Sequence, residues 1–105
     1  MQAACAVKDN DVIGVWVSTG GQNDFFESFE LSPNHHFNSW LHDRPEIMNA
    51  TWQLKDCILR IYSSTAMTKD TLEFIYRVKL KKAKLVLIED IDDVEYAGIY
   101  RRAAK

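Results

Sequence analysis

The chain has 105 residues, of which 47% are apolar and 11% aromatic, and 13 basic against 15 acidic residues give a formal net charge of -2. This length suits a single domain, 1–105, with one buried core. The charge gives no support to nucleic-acid binding, and no apolar run approaches the roughly 18 residues of a membrane-spanning helix.

The first residues, MQAACAV, are small and resemble the end of a secretory signal peptide, so residues 1–5 would be a signal-peptide remnant or a non-native start. Cys5 and Cys57 are the two cysteines, a number that fits one disulfide or two buried thiols. We therefore expect a periplasmic or secreted protein. A lipoprotein with Cys5 as the lipidated residue is an alternative, which Gln2 disfavours because such sites usually carry a branched apolar residue there.

Alternation of apolar and polar residues, which is typical of strands, runs through almost the whole chain. Eight segments share it: 13–19, 24–31, 35–42, 48–54, 57–63, 71–80, 84–90 and 94–102. The links between them contain Gly, Pro, Asn, Asp or Lys, which are typical of turns: TGGQND, SPN, DRPE, KD, STAMTKD, KKA and DIDD.

Short links favour antiparallel neighbours, because parallel strands need long crossover connections. Eight such strands predict an all-β fold, an eight-stranded antiparallel up-and-down β-barrel whose closure removes the sheet edges. A two-sheet sandwich of similar length is the alternative.

The alternation also predicts which side chains face the barrel interior. The inner sets of the two clearest strands are Leu72, Phe74, Tyr76, Val78 and Leu80, and Met48, Ala50, Trp52 and Leu54. In 35–42, Phe37 and Leu41 compete with Trp40 for the inside, and a β-bulge would accommodate both patterns.

Gly14-x-Trp16 on the first strand, seven further strands and Tyr100-Arg101-Arg102 on the last resemble the lipocalin and wider calycin pattern, especially small bacterial lipocalin-like barrels. The resemblance implies that Trp16 lies across a closed barrel base and that a basic residue, here Arg102, packs over it. Gly14 would allow close approach of the neighbouring backbone. The Thr-Asp-Tyr loop and C-terminal helix of full-size lipocalins are missing, and avidin-like barrels begin with a similar strand.

An up-and-down meander sorts the loops between two ends of the barrel. TGGQND, DRPE, STAMTKD and DIDD fall at one end, the mouth, and SPN, KD and KKA fall at the other, the base. Cys5 and Cys57 both fall at the base, which predicts a disulfide between them and an N-terminal segment that closes the base. The bond would close a loop of about 50 residues.

Charge follows the same division. The acidic residues of the mouth are Asp24, Asp43, Glu46, Asp70, Asp90, Asp92 and Asp93, against Arg44 and Lys69. The basic residues of the base are Lys55, Lys81, Lys82, Lys84, Arg101 and Arg102. We expect Asp90, Asp92 and Asp93 to attract a basic partner, although turns need polar residues in any case.

Catalytic and metal-binding patterns are not found. The sequence has no P-loop, GxSxG, HExxH or CxxC. His35 and His36 are adjacent and point to opposite faces, whereas His36 and His42 are about 20 Å apart along a strand. We therefore expect no metal, no cofactor and no enzymatic activity.

The upper inner face is expected to present Phe25, Glu27, Ser39, Phe74, Glu89 and Tyr96. Apolar walls with a few polar groups favour a small apolar or amphipathic ligand, provided that side chains do not fill the interior.

The alternative function is a protein-interaction module, an inhibitor or assembly factor, that acts through its acidic end or its outer wall. A contiguous outer patch would favour that alternative, with the candidates Phe26, Ile75, Val86, Ile88 and Ile99.

Overall fold

The computed structural model describes residues 5–20, 25–64 and 71–103. One short helix, α1 (Asp9–Val12), precedes eight strands. The strands are β1 (Gly14–Ser18), β2 (Ser28–Leu31), β3 (His36–Leu41), β4 (Arg44–Lys55), β5 (Ile58–Ser64), β6 (Thr71–Lys81), β7 (Lys84–Ile91) and β8 (Val94–Arg102).

The strands form a closed barrel in chain order, β1 to β8. Each strand is antiparallel to the next, and β1 pairs with β8 through Trp16 opposite Arg102. The predicted eight-stranded up-and-down barrel is therefore confirmed, and the sandwich is excluded. Among the described residues every strand pairs with both neighbours, but β6 and β7 pair only between Arg77–Lys81 and Lys84–Ile88, so their upper parts separate toward the mouth.

Four of the hairpins are closed by two-residue turns, at 42–43, 56–57, 82–83 and 92–93. Both residues of each turn have positive φ, between 50° and 66°, although none is glycine. This backbone is that of type I′ turns, whose twist matches the twist of the flanking strands. The turns thereby fix the register of β3–β4, β4–β5, β6–β7 and β7–β8.

Strand β4 is longer than predicted and irregular. It begins at Arg44, and its register with β3 shifts on both sides of Ser39. Asn49 has a φ of 58°, as a bulged residue often does. The predicted bulge is present, but it lies in β4, and it breaks the alternation. Met48, expected inside, is consequently 41% exposed.

The core fills the barrel below the mouth with apolar side chains. Fully buried members include Trp16, Phe29, Leu31, Phe37, Trp52, Ile61, Leu85, Leu87 and Tyr100. Leu72 and Leu80, expected inside, are 51% and 37% exposed because they lie at the two ends of β6. Phe26 and Ile88, expected on the outer wall, are buried.

The N-terminal segment closes the base, as predicted. Cys5 and Cys57 form the predicted disulfide, with their Cα atoms 5.7 Å apart. Because the Cys5 sulfur is used in this bond, the alternative of a lipidated Cys5 does not fit the structure. The unpredicted helix α1 buries Val12, and the Val12 carbonyl accepts a 2.8 Å hydrogen bond from Trp16 Nε1.

A second set of contacts joins α1 to the loop between β2 and β3. His35 Nε2 lies 2.9 Å from Asp9 Oδ2, and the His35 ring packs on Trp52 with 4.5 Å between centroids. Trp52 Nε1 donates to the Ser32 carbonyl. The base is thus fixed by one covalent bond and several polar contacts.

Candidate binding site at the mouth

Chain-order antiparallel pairing determines which loops share an end of the barrel. The turns at 42–43 and 92–93 lie at the mouth, and the turns at 56–57 and 82–83 lie at the base with α1. Asp24, Lys69 and Asp70, which we assigned to the mouth from the sequence, lie outside the described residues.

At the base, Arg102 covers Trp16. The guanidinium carbon lies 4.4 Å from the centroid of the indole ring, within cation–π range. Arg102 also donates from Nη1 to the Ile13 carbonyl and from Nη2 to the Asp11 carbonyl, at 2.8 and 2.9 Å. Gly14 has a φ of +141°, and a Cβ there would lie 2.6 Å from Arg102 Nη1. This end of the barrel is therefore closed by packed and hydrogen-bonded groups.

A cluster of aromatic rings lies beneath the mouth. Phe26 makes edge-on contacts with Phe37, Phe74 and Tyr76, with centroids 5.1 to 6.0 Å apart, and Phe25 contacts Tyr76 at 4.7 Å. These rings occupy the upper interior. We call Phe25, Phe26, Phe74 and Tyr76 the aromatic floor.

The backbone before β2 explains how two consecutive phenylalanines enter the interior. The amides of Phe25 and Phe26 both donate to Tyr100 Oη, each at 3.0 Å. They are therefore not paired with a neighbouring strand, and regular alternation begins only at Ser28. This local break explains why Phe26 lies inside rather than on the outer wall.

Above the aromatic floor, the last inner-face positions before the mouth carry exposed apolar side chains. They are 36% to 51% exposed: Leu41, Leu72, Ile91, Val94 and Tyr96. Each shares the inner face of its strand with buried core residues further down. We call these five residues the apolar rim. The sequence contained the signal for it, since the inner alternation continues unbroken into the turns.

One carboxylate lies on this inner wall. Glu89 is half-buried, faces the same side as Leu85 and Leu87, and is directly opposite Tyr96 in β8. No hydrogen bond or ion pair joins its side chain to another described residue. Burial, the Glu89 charge and Tyr100 raise the pKa of Tyr76 above its usual range, so the Tyr76 phenol stays protonated.

The other predicted ligand-binding residues lie in different surroundings. Phe25 and Phe74 are half-buried in the aromatic floor. Ser39 is fully buried, and its hydroxyl donates to Glu46 Oε1 and accepts from the Ile47 amide. Glu27 is exposed, and its Oε2 accepts from the His42 amide. Glu27 therefore lies beside the turn between β3 and β4, and the Ser39 hydroxyl is already engaged by Glu46 and Ile47.

The three aspartates expected to attract a partner are not equivalent. Asp90 lies on the outer wall, where both its oxygens accept from Arg77, which also donates to Glu95. These bonds raise the pKa of Arg77. Asp92 and Asp93 form the exposed turn between β7 and β8. Asp92 and Asp93 are therefore more available than Asp90 to an approaching partner.

A shallow depression of about 560 Å³ lies at the same end, beside the turn between β3 and β4. Leu41, His42, Arg44, Pro45 and Glu46 line it. It adjoins the apolar rim through Leu41, which belongs to both.

On the outer wall, the candidate apolar residues do not form one patch. Val86 and Ile99 are direct cross-strand partners and line a recess of about 190 Å³ with Lys81, Lys82 and Lys84. Ile75 is 41% exposed, whereas Phe26 and Ile88 are buried. Ile75 and Ile88 line a second recess of about 350 Å³ with charged neighbours that include Arg77 and Asp90, so the outer candidates fall in two separate recesses.

Neither a metal site nor a membrane-spanning helix is found in residues 5–20, 25–64 and 71–103. No three His, Cys, Asp or Glu side chains come together there as metal ligands would. None of the helices there has the length and apolar character needed to cross a bilayer.

Comparisons with protein-family models, with curated proteins and with solved structures find no match for this chain.

Proposed function

We propose that the protein is a non-catalytic, lipocalin-like binding barrel that holds a small amphipathic ligand at its mouth. The observation that carries this proposal is the apolar rim above the aromatic floor. Five apolar side chains remain 36% to 51% exposed, although each continues the inner-face alternation of its strand above the packed core. Concave apolar surfaces with few polar groups are typical of small-molecule sites.

The filled interior supports a shallow site rather than a deep one. Phe26, Phe37 and Tyr76 are buried and in ring contact below the rim. An eight-stranded barrel has room either for its own side chains or for one small ligand. The ligand's apolar part would therefore lie on the rim and the aromatic floor, with its polar part directed to solvent.

The disulfide supports a periplasmic or secreted location for this activity. Cys5–Cys57 is the kind of bond that persists outside the reducing cytosol. A free ligand-binding barrel in that compartment agrees with the resemblance to small bacterial lipocalin-like domains.

Titration calorimetry with dodecyl maltoside, below its micelle concentration, tests the proposal. We expect saturable binding of one molecule, weakened by Ile91→Ser at the rim. Ile99→Ser is the matched control, because Ile99 is 41% exposed against 47% for Ile91 but lies on the outer wall. Equal weakening by both variants, or no saturable binding to the unmodified chain, would contradict the proposal.

A protein-interaction module that recognises a basic partner through the mouth is the second candidate. The exposed acidic turn at Asp92 and Asp93 favours it, because surface charge steers association. Native mass spectrometry after gentle purification separates the two candidates. A co-purifying small molecule supports the binding barrel, and a stoichiometric protein complex supports the module.

A further inference from the structure

We infer that the mouth prefers amphiphiles with a positively charged head, such as quaternary ammonium compounds, and that Glu89 pairs with that head. This inference rests on the proposed function, because it assigns a ligand class to the same apolar rim.

The position of Glu89 is the first argument. Glu89 is half-buried and follows the inner-face alternation of β7 between the core residue Leu87 and the rim residue Ile91, where β6 and β7 no longer pair. It also borders a recess of about 350 Å³ that outer-wall residues, among them Ile75 and Arg77, line. It has no hydrogen bond or ion pair with another described residue. A partly desolvated carboxylate without a partner gains from a nearby positive charge, because burial has removed part of its hydration.

The aromatic surroundings are the second argument. Tyr96 lies directly opposite Glu89 and is 36% exposed. Tyr76 lies close enough for the Glu89 charge to act on its phenol. Aromatic faces beside a carboxylate are the surroundings in which proteins hold quaternary ammonium groups, through cation–π attraction.

The charge of the whole mouth is the third argument. Asp43, Glu46, Asp92 and Asp93 are exposed at or beside the turns 42–43 and 92–93 of this end. Of the basic side chains near them, Arg77 is held by Asp90 and Glu95, and the exposed Arg44 offsets only part of the acidic charge. The field at the mouth therefore favours a cation and opposes the carboxylate or sulfate head of an anionic amphiphile.

Three probes with the same chain test the inference: dodecyltrimethylammonium, dodecyl maltoside and dodecyl sulfate, each below its micelle concentration and at low salt. We expect the cation to bind at least about tenfold more tightly than the neutral probe, equivalent to about 1.4 kcal/mol. The anion should bind more weakly than the neutral probe.

Glu89→Gln should remove the preference for the cation and leave the affinity for dodecyl maltoside within about twofold. Glu95→Gln is the matched control, because it makes the same change in charge on β8, where Glu95 contacts Arg77 on the outer wall. Retained maltoside binding shows that Glu89→Gln is folded. If that variant does not fold, the test is the salt dependence of the cation's affinity for the unmodified chain. We expect this affinity to fall as salt rises, and an affinity that does not change with salt overturns the inference.

The outcomes separate the two proposals. Equal affinity for the cation and the neutral probe overturns this inference and leaves the proposed function standing. A cation preference that survives Glu89→Gln also overturns it. If none of the three probes binds saturably, the proposed function itself fails.

Discussion

The Arg102 guanidinium lies over the Trp16 ring while donating to the carbonyls of Ile13 and Asp11. One side chain from the last strand therefore holds the first strand's tryptophan and the segment that precedes it. The contact implied by the lipocalin resemblance is present, and the two hydrogen bonds add a link to the base-closing segment that the sequence did not reveal.

Arg102→Lys should destabilise the fold by about 1–3 kcal/mol, because lysine keeps the charge but cannot donate in the same planar, forked geometry. Urea unfolding should show a lower midpoint with an unchanged slope. Arg101→Lys, on the exposed neighbouring residue, should have almost no effect. Equal losses in both variants would show that the two hydrogen bonds contribute little.

Gly14→Ala should cost about 1–3 kcal/mol, because the φ of +141° disfavours any side chain and the new Cβ would meet Arg102. Gly20→Ala is the control, since Gly20 also has a positive φ of +89° but has nothing within 4 Å of the added Cβ. The difference between the two unfolding free energies measures the effect of the close approach. A larger loss at Gly20 would refute this explanation.

Removing the disulfide with Cys5→Ser and Cys57→Ser should lower the free energy of unfolding by about 4 kcal/mol in the chain-entropy model. The bond joins residues 52 apart in sequence and so restricts a large part of the unfolded chain. Adding a reductant to the unmodified protein should lower its free energy of unfolding by the same amount as the two substitutions do, as measured by chemical denaturation. Two titratable free thiols in protein kept under oxidising conditions would contradict the bond.

Stability should fall as pH rises above about 10, the usual pKa of tyrosine. Burial raises the pKa of Tyr76, so above that pH the unfolded chain loses a proton that the folded chain retains. The contribution of Tyr76 to the free energy of unfolding is therefore complete below about pH 10 and is lost as the pH rises further. Tyr76→Phe should flatten the alkaline part of the unfolding free-energy curve, and an unchanged curve would rule Tyr76 out as its cause.

Asp92→Asn with Asp93→Asn should slow the association of an oligolysine peptide severalfold at low salt, with the effect disappearing as salt rises. Asparagine tolerates the positive φ of both positions, so folding should be retained. Asp90→Asn should slow association less, because Asp90 already contacts Arg77. Stopped-flow association rates at several salt concentrations measure this. Equal slowing by Asp90→Asn and by the double change would contradict the greater availability of Asp92 and Asp93.

The fold could be predicted because its signals are local and repeated. Period-two alternation and turn residues recur along the whole chain, and a meander of antiparallel strands then places Trp16 beside Arg102 and Cys5 beside Cys57. The sequence predicts close packing at Gly14, but by a neighbouring backbone, whereas the group that approaches is the Arg102 guanidinium, which only the closed barrel brings there.

The errors arise where backbone geometry departs from strict alternation. The bulged register of β4 exposes Met48, and two amides held by Tyr100 bring Phe26 inside. The Arg77–Asp90 pair joins residues diagonal to each other on β6 and β7, so it depends on a register that the sequence does not state. At the candidate site, alternation predicts that apolar residues of the rim lie on the inner face, but it does not predict that their side chains remain exposed to solvent.

The four tight turns have a practical consequence. Eight residues with side chains hold positive φ in them, a conformation that glycine and asparagine adopt at much lower cost. The turn Lys82–Ala83 lies at the base, at the opposite end from the apolar rim. Exchanging this turn for Asn–Gly would therefore yield a more stable background with an unaltered ligand surface, in which destabilising changes at the mouth remain measurable.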